Sequence, residues 1–260
     1  MNMKKLILFL ILSILLVGCS NNNSAKGNDT GNGDEKTLVR IGLTGSDSKV
    51  WNHVKEEAAK ENIDIELVFF DSYPIPNAAL NSGEIEQHGY ELSVIGETVY
   101  APLGLYSKKI KNLDELKDGD KIVIPDDVTN GGRALLLLQA NGLITVAPDA
   151  GNTPTIKDIE NPRGFEIIEL SATNIPATLE EVPLAVINSG VATDAGLTPS
   201  QDAIVLEEVK SGENSYINVI VARTEDKDNK VYKHIVELYQ TEATKAVIEE
   251  DSKGSLIPVW

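Results

Sequence analysis

The stretch Lys121–Gly142 reads KIVIPDDVTNGGRALLLLQANG. Lys121 to Pro125 is a short β-branched run closed by proline, the pattern of a buried strand. Asp126 to Gly132 is a polar, glycine-containing turn. Arg133 to Asn141 then carries four consecutive leucines, which need a buried helix face, and Gly142 supplies a stop. Strand, turn and helix in this order are the repeating half of an α/β fold. One arginine interrupts the pattern where the helix should begin. The first turn of a helix has unpaired amides and a positive dipole end, which favour an anion. The glycines would let backbone approach a ligand. A guanidinium matches a carboxylate with two parallel hydrogen bonds. Arg133 is therefore a candidate carboxylate clamp. The competing assignments are a solvent-facing arginine or an internal ion pair with Asp126 or Asp127.

The same alternation extends on both sides. Leu38 to Thr44 reads as a strand and Ser48 is placed to cap a helix over Val50–Glu61, with Trp51, Val54 and Ala58 on one face. Ile63 to Phe70 is a second strand, which makes a parallel βαβ unit. Pro76 opens a short helix, and Tyr90–Gly96 and Ala101–Tyr106 read as strands. Past the quoted stretch, Phe165–Leu170 and Leu184–Asn188 are strands and Ile175–Glu181 is helical. Ile217–Arg223 is a late strand, and Lys230–Glu250 is a long amphipathic helix or a pair. Two α/β lobes with the chain crossing near residues 100 and 220 fit this order. Open α/β sheets bind ligands where strand ends meet a crevice.

The N-terminus has a different composition. Lys4 and Lys5 precede an apolar run from Leu6 to Val17, a signal-peptide length too short for an ordinary membrane span. Gly18 precedes Cys19, the only cysteine in the chain, so no intramolecular disulfide forms. Ser20 to Lys36 is almost free of apolar residues and reads as a flexible tether. The 260 residues carry a formal net charge of −17, which argues against a nucleic-acid partner, since phosphate binding needs clustered Lys and Arg.

Three further positions are binding candidates. Asn188 lies at the carboxyl end of a core strand, where its amide can donate to a carboxylate and accept from an ammonium. Gly190 nearby would permit close approach. Tyr73 and Asn77 lie in the proline-fixed stretch DSYPIPN, where a tyrosine either walls a pocket or packs as core. Trp51 follows the first strand and turn with the same two options. No HExxH, Walker loop, GxGxxG after a strand or GxSxG is present, so neither an enzyme nor a cofactor is expected. His53, His88 and His234 are scattered, without metal-ligand spacing.

With these residues in hand, the chain resembles the methionine-binding lipoproteins, the NlpA/MetQ family. The resemblance runs from Val39 to Trp260. It is densest in LGLYSKKIKNLDEL (103–116), NGGRALLLLQ (130–139), LAVIN (184–188) and YINVIV (216–221). It implies a two-lobed, periplasmic-binding-protein-like α/β fold with a ligand cleft between the lobes and two inter-lobe crossings. It implies a signal peptide over 1–19, lipidation at Cys19 and a tether over 20–36. The first lobe would be 37–102 with 219–260, and the second 103–218. The implied partners are a small zwitterionic ligand, an ABC permease, and the extracytoplasmic face of the membrane through the lipid. By resemblance Arg133 grips the ligand carboxylate with help around Asn130. Asn188 contacts the head group, and Tyr73 and Asn77 border the cleft.

Two stretches depart from the family pattern. Ser82-Gly83-Glu84-Ile85 runs almost directly into Glu86-Gln87-His88-Gly89-Tyr90, where the family has about a dozen or more further residues with a Phe-Gln-His triplet. Gln87-His88 is either a remnant of that triplet, or the triplet is gone and Gly89-Tyr90 belongs to the next strand. The second alignment fits better. Ser189-Gly190-Val191 stands where the family has Gly, Asn and Tyr. Both departures remove an aromatic from the cleft, and a thioether gains from aromatic contact. The expected ligand is L-methionine, another amino acid or a small methionyl peptide. A surface lipoprotein without a transport role is the alternative.

Overall fold

The computed structural model describes residues 36–80, 91–208 and 216–260. Cys19, the tether before Lys36 and the shortened loop over 84–89 lie outside the described residues. β1 (Thr37–Thr44) and β2 (Ile63–Phe70) pair in parallel across α1 (Lys49–Ala59). Ser48 caps α1, its hydroxyl accepting from the Trp51 amide at 3.2 Å. α2 (Pro74–Leu80) and β3 (Leu92–Tyr100) follow. The chain continues through β4 (Leu103–Tyr106), β5 (Lys121–Pro125), α3 (Val128–Ala140) and a two-stranded ribbon, β6 (Thr145–Val146) with β7 (Ile159–Glu160). Next come β8 (Glu166–Leu170), β9 (Leu184–Asn188), α4 (Ser189–Asp194), α5 (Pro199–Asp202) and β10 (Val205–Leu206). β11 (Ile217–Arg223), α6 (Lys230–Tyr239), α7 (Glu242–Ser252) and β12 (Ile257–Pro258) close the chain.

These elements form two α/β lobes. In one, β1 and β2 make a parallel pair and β3 lies between β11 and β12 in an antiparallel sheet. Its core joins Trp51, Val54 and Ala58 of α1 to Val39, Ile65, Val99, Ile235, Tyr239 and Ile248. In the other, the sheet order is β10-β4-β9-β5-β8, with β5 parallel to both of its neighbours. The alternation of β5 splits that lobe's core. Ile122 and Ile124 face Leu135 and Leu138 of α3 on one side, and Val123 faces Ala185, Ile175 and Val191 on the other. Each fully buried leucine or isoleucine there contributes about 1.5–3 kcal/mol of transfer free energy. The chain leaves the first lobe's sheet at Tyr100 and enters the second at Leu103. It returns between Leu206 and Ile217.

Several boundaries differ from the sequence reading. α3 starts at Val128, so the expected turn over 126–132 is mostly helix. Asp127 is its N-cap, accepting from the Asn130 amide at 3.0 Å. Strand β3 is Leu92–Tyr100 and runs past the expected end at Gly96. The segment expected as a helix over 175–181 is a 3-10 helix at Ala172–Thr178 with Pro176 inside it, which removes the amide an α-helix would need. Of the two options for Lys230–Glu250 the pair of helices is found, because Thr241 starts a new one by accepting from the Thr244 amide at 3.2 Å.

Candidate ligand-binding site

α3 starts just after β5, so its first turns stand at the carboxyl end of the sheet, as do the end of β9 and Asn188. Asn130 and Arg133 are three residues apart on α3 and share a face. The Asp127 carboxylate accepts from the Asn130 side-chain amide at both oxygens, 3.1 and 3.0 Å. Asn130 Oδ1 in turn accepts from Asn188 Nδ2 at 2.8 Å. Asn188 occupies the N-cap position of α4 and yet makes no capping bond with its side chain. It is 8% exposed, and its Oδ1 has no hydrogen-bond partner among the described residues. A buried acceptor left in this way costs about 1–3 kcal/mol, so something is expected to donate to it.

Arg133 is in the second turn of α3 rather than at its start, and it is 5% exposed. It makes an internal ion pair, but with neither Asp126 nor Asp127. Glu207, just past β10, takes the guanidinium edge: Nε donates to its two oxygens at 2.9 and 3.0 Å, and Nη2 donates to Oε2. Nη2 also donates to the Ala101 carbonyl at 2.9 Å, and Glu207 accepts from the Leu103 amide at 3.1 Å. None of these bonds uses Nη1. The guanidinium lies 4.4 Å from the Tyr216 ring centre and 5.5 Å from that of Tyr100, within cation–π range. Burial works against its charge, but the hydrogen bond and charge of Glu207 prevail, so its pKa is raised. Ala101, Leu103, Glu207 and Tyr216 flank the two crossings between lobes. Arg133 is thus fixed beside the two crossings.

The glycines do other work than the sequence suggested. A Cβ at Gly131 would sit 2.7 Å from the Pro125 carbonyl oxygen, and one at Gly132 2.7 Å from Thr153 Cα. They let α3 pack against the end of β5 and the 153–154 loop, rather than opening a path for ligand. Gly190 has open space around its Cβ position.

The other candidates separate. Tyr73, just before α2 in the first lobe, packs against the second lobe's core cluster around Tyr106 and Ile175. Burial, then the charges of Asp127 and Asp194, raise its pKa, while Arg133 opposes. It is therefore in electrostatic reach of the Asp127–Asn130–Arg133 face. Asn77 is exposed on α2. Trp51 lies in the first lobe's core, 5.0 Å from the Tyr239 ring, which is the packing option for that residue. The lobes also touch beside these residues. Asp71 O accepts from Thr173 Oγ1 at 2.8 Å and from Ser171 Oγ at 3.2 Å. The Ser46 amide donates to Asp194 at 3.2 Å, and Gly45 at φ 116° makes that approach possible, since a Cβ there would collide with the same carboxylate.

Sequence reasoning did not find Glu207, Tyr100, Tyr216 or the role of Asp127. Only Asp127 had a local signal, an aspartate three residues before an asparagine at a strand-to-helix junction. No group of three or more His, Cys, Asp or Glu among the described residues is placed to hold a metal. No helix among them is long and apolar enough to cross a membrane.

Residues 39–260 match the family described as NlpA lipoprotein. The chain is 37% identical over 274 positions to the D-methionine-binding lipoprotein MetQ of Escherichia coli (strain K12), covering 96% of this chain and 95% of that protein. The match is longer than the chain's 260 residues, so that relative carries residues this chain lacks. Protein PG110 from Staphylococcus aureus superposes with a TM-score of 0.79 at 42% identity, over 85% of this chain and 94% of its own. A nutrient binding protein from Burkholderia cenocepacia, solved bound to methionine, superposes with a TM-score of 0.78 at 38% identity. It covers 85% of this chain and 100% of its own.

Proposed function

The chain belongs to the NlpA lipoprotein family, and on that footing we propose that it captures one small zwitterion and delivers it to an ABC importer. The favoured ligand is an amino acid, L-methionine first. The family is one of substrate-binding proteins, not enzymes. The anchor is lipid on Cys19, and more than one acyl chain on that residue gives stable attachment. The lobes are 37–102 with 219–260 and 103–218, and they close on the ligand by hinge motion.

One observation carries the reading: the Oδ1 of Asn188 is buried and has no hydrogen-bond partner among the described residues. It accepts from the ligand's ammonium. Arg133, across the Asn130 turn, donates from Nη1 to the ligand's carboxylate while Glu207 keeps its other edge. Tyr73 and Asn77 border the cleft from the first lobe. Trp51 stays in the core and outside the site. The polar head-group contacts are thus independent of the aromatic wall that the sequence lacks.

The test is a melting screen of Ser20–Trp260, made without Cys19, against each amino acid, both enantiomers of methionine and methionyl dipeptides. At about a hundredfold excess over Kd, binding adds roughly 2.7 kcal/mol. For a body of this size that raises Tm by about 5–10 °C. No shift with any α-amino carboxylate, in protein freed of ligand by unfolding and refolding, sinks the proposal. A surface lipoprotein without transport then becomes the better reading. The Glu207 carboxylate on the clamp edge of Arg133 already favours that alternative.

A further inference from the structure

We propose that Asp127 sets the polarity of the head-group site and thereby selects a ligand that carries a hydrogen-bond donor, an ammonium above all. The proposal rests on Asn188 being a ligand contact, as argued above, and assigns Asp127 as a positioning residue that acts through Asn130.

An amide side chain has a donor end and an acceptor end, and either can point either way. The network decides which. A carboxylate accepts only. Asp127 takes the Asn130 Nδ2 at both of its oxygens and also takes the Asn130 backbone amide. Asn130 must therefore turn its Oδ1 away from Asp127. That oxygen accepts from Asn188 Nδ2 at 2.8 Å. Asn188 thus directs its donor end at Asn130 and turns Oδ1 away, the atom that is buried with no partner among the described residues. Turning Asn188 over would set oxygen against oxygen. Turning Asn130 over would set its oxygen against the carboxylate. Either reversal leaves buried polar groups unpaired or repelling, and a chain of buried polar groups is governed by its most constrained member. Asp127 is that member. Its charge also bears on the Tyr73 hydroxyl, whose pKa is raised by burial first and by Asp127 second.

Asp127→Asn separates this role from simple helix capping. Asparagine caps a helix as well as aspartate does, so α3 keeps its start. An amide at 127 can meet Asn130 with either end, and the direction of the relay is no longer enforced. The measurement is the Kd of L-methionine against that of 4-(methylthio)butanoate, which keeps carboxylate and thioether but lacks the amine. Wild-type chain is expected to prefer the amine by about 10–100-fold, the worth of one charge-assisted hydrogen bond. In Asp127→Asn that preference should fall to about threefold or less, with the affinity for the desamino acid changed by about twofold at most. A side-chain amide NMR experiment adds a readout free of ligand. Asn130 and Asn188 should each give one amide environment in wild type and two in the variant.

An unchanged preference in Asp127→Asn overturns the proposal. So does an equal loss of affinity for both compounds, which would mark Asp127 as a cap and nothing more. A wild-type chain that binds both compounds equally overturns the relay while leaving the carboxylate clamp standing. A wild-type chain that binds neither overturns the reading of the site, and the relay with it.

Discussion

Glu207→Gln removes one charge from the pair that fixes Arg133 beside the two crossings, and its cost can be worked from the contacts. The two side chains are 6% and 15% exposed, so water screens them little. Breaking a buried pair by removing one partner costs about 3–5 kcal/mol. In Glu207→Gln the stranded group is the guanidinium. It keeps the Ala101 carbonyl and the faces of Tyr216 and Tyr100, so the loss should lie near the lower end, about 3 kcal/mol. Arg133→Met strands the carboxylate instead, with the Leu103 amide as its remaining donor among the bonds described above, so about 4–5 kcal/mol is expected. For a chain of this size each kcal/mol moves Tm by about 2–4 °C. The two variants should therefore melt about 6–12 °C and 8–20 °C below wild type. The double variant Arg133→Met/Glu207→Gln should lose less than the sum of the singles by about 2–3 kcal/mol, because neither charge is then buried alone. Urea unfolding of the four ligand-free proteins measures all of this. Losses that add to within about 0.5 kcal/mol would refute the reasoning, since independent sites add and coupled ones do not. So would single-variant losses under about 1 kcal/mol, the range of an exposed pair.

Two further predictions concern packing and pH. Gly132→Ala should destabilise by about 1–3 kcal/mol without altering ligand preference, because the added Cβ meets the backbone of Thr153; a stabilised or unchanged midpoint in urea would show that α3 has room there. His234 bridges Glu61 at 2.7 Å and Glu237 at 3.0 Å, and its pKa is raised by hydrogen bonds to Glu237 and Glu61. A raised pKa means that the folded state holds the proton more tightly. The contribution is therefore full below the unfolded value of 6.5 and fades as pH rises through the higher folded value. Stability from this bridge should decline upward from about pH 6.5, and His234→Gln should flatten the slope. Imidazole NMR showing a midpoint below the unfolded value would overturn it.

Much of the architecture was legible because it is carried by local pattern. The alternation in LVRIGLT, IDIELVFF and KIVIP returned β1, β2 and β5, and the leucines of α3 do pack under the five-stranded sheet. Arg133 stood out because it interrupts the turn-to-helix pattern and Asn188 because it follows an apolar run, whereas Asn130 came only from the family resemblance. Their partners were hidden for a physical reason. Glu207 lies 74 residues from Arg133 and meets it only through the fold, in a chain rich in unremarkable glutamates. Gly131 and Gly132 looked like ligand-approach residues, because sequence cannot tell a backbone that must admit a ligand from one that must admit Pro125 or Thr153. Asp127 read as part of a turn because valine, threonine, asparagine and two glycines are poor helix formers. A cap and tertiary packing override that propensity here. Trp51 fitted pocket and core alike by sequence, and its contact with Tyr239 separates the two.

The measurement to make first is a calorimetric titration of L-methionine into ligand-free Ser20–Trp260, run beside the Asn188→Leu variant. The account expects one ligand per chain in wild type. It expects affinity about 10–100-fold weaker in the variant, where the buried acceptor is gone and the ammonium has no partner. Equal affinity in both proteins would mean that Oδ1 of Asn188 is a structural orphan and not a ligand contact. No binding in the wild type, to methionine or to any other amino acid that competes for it, would mean that the lobes and the polar relay persist without a ligand to hold.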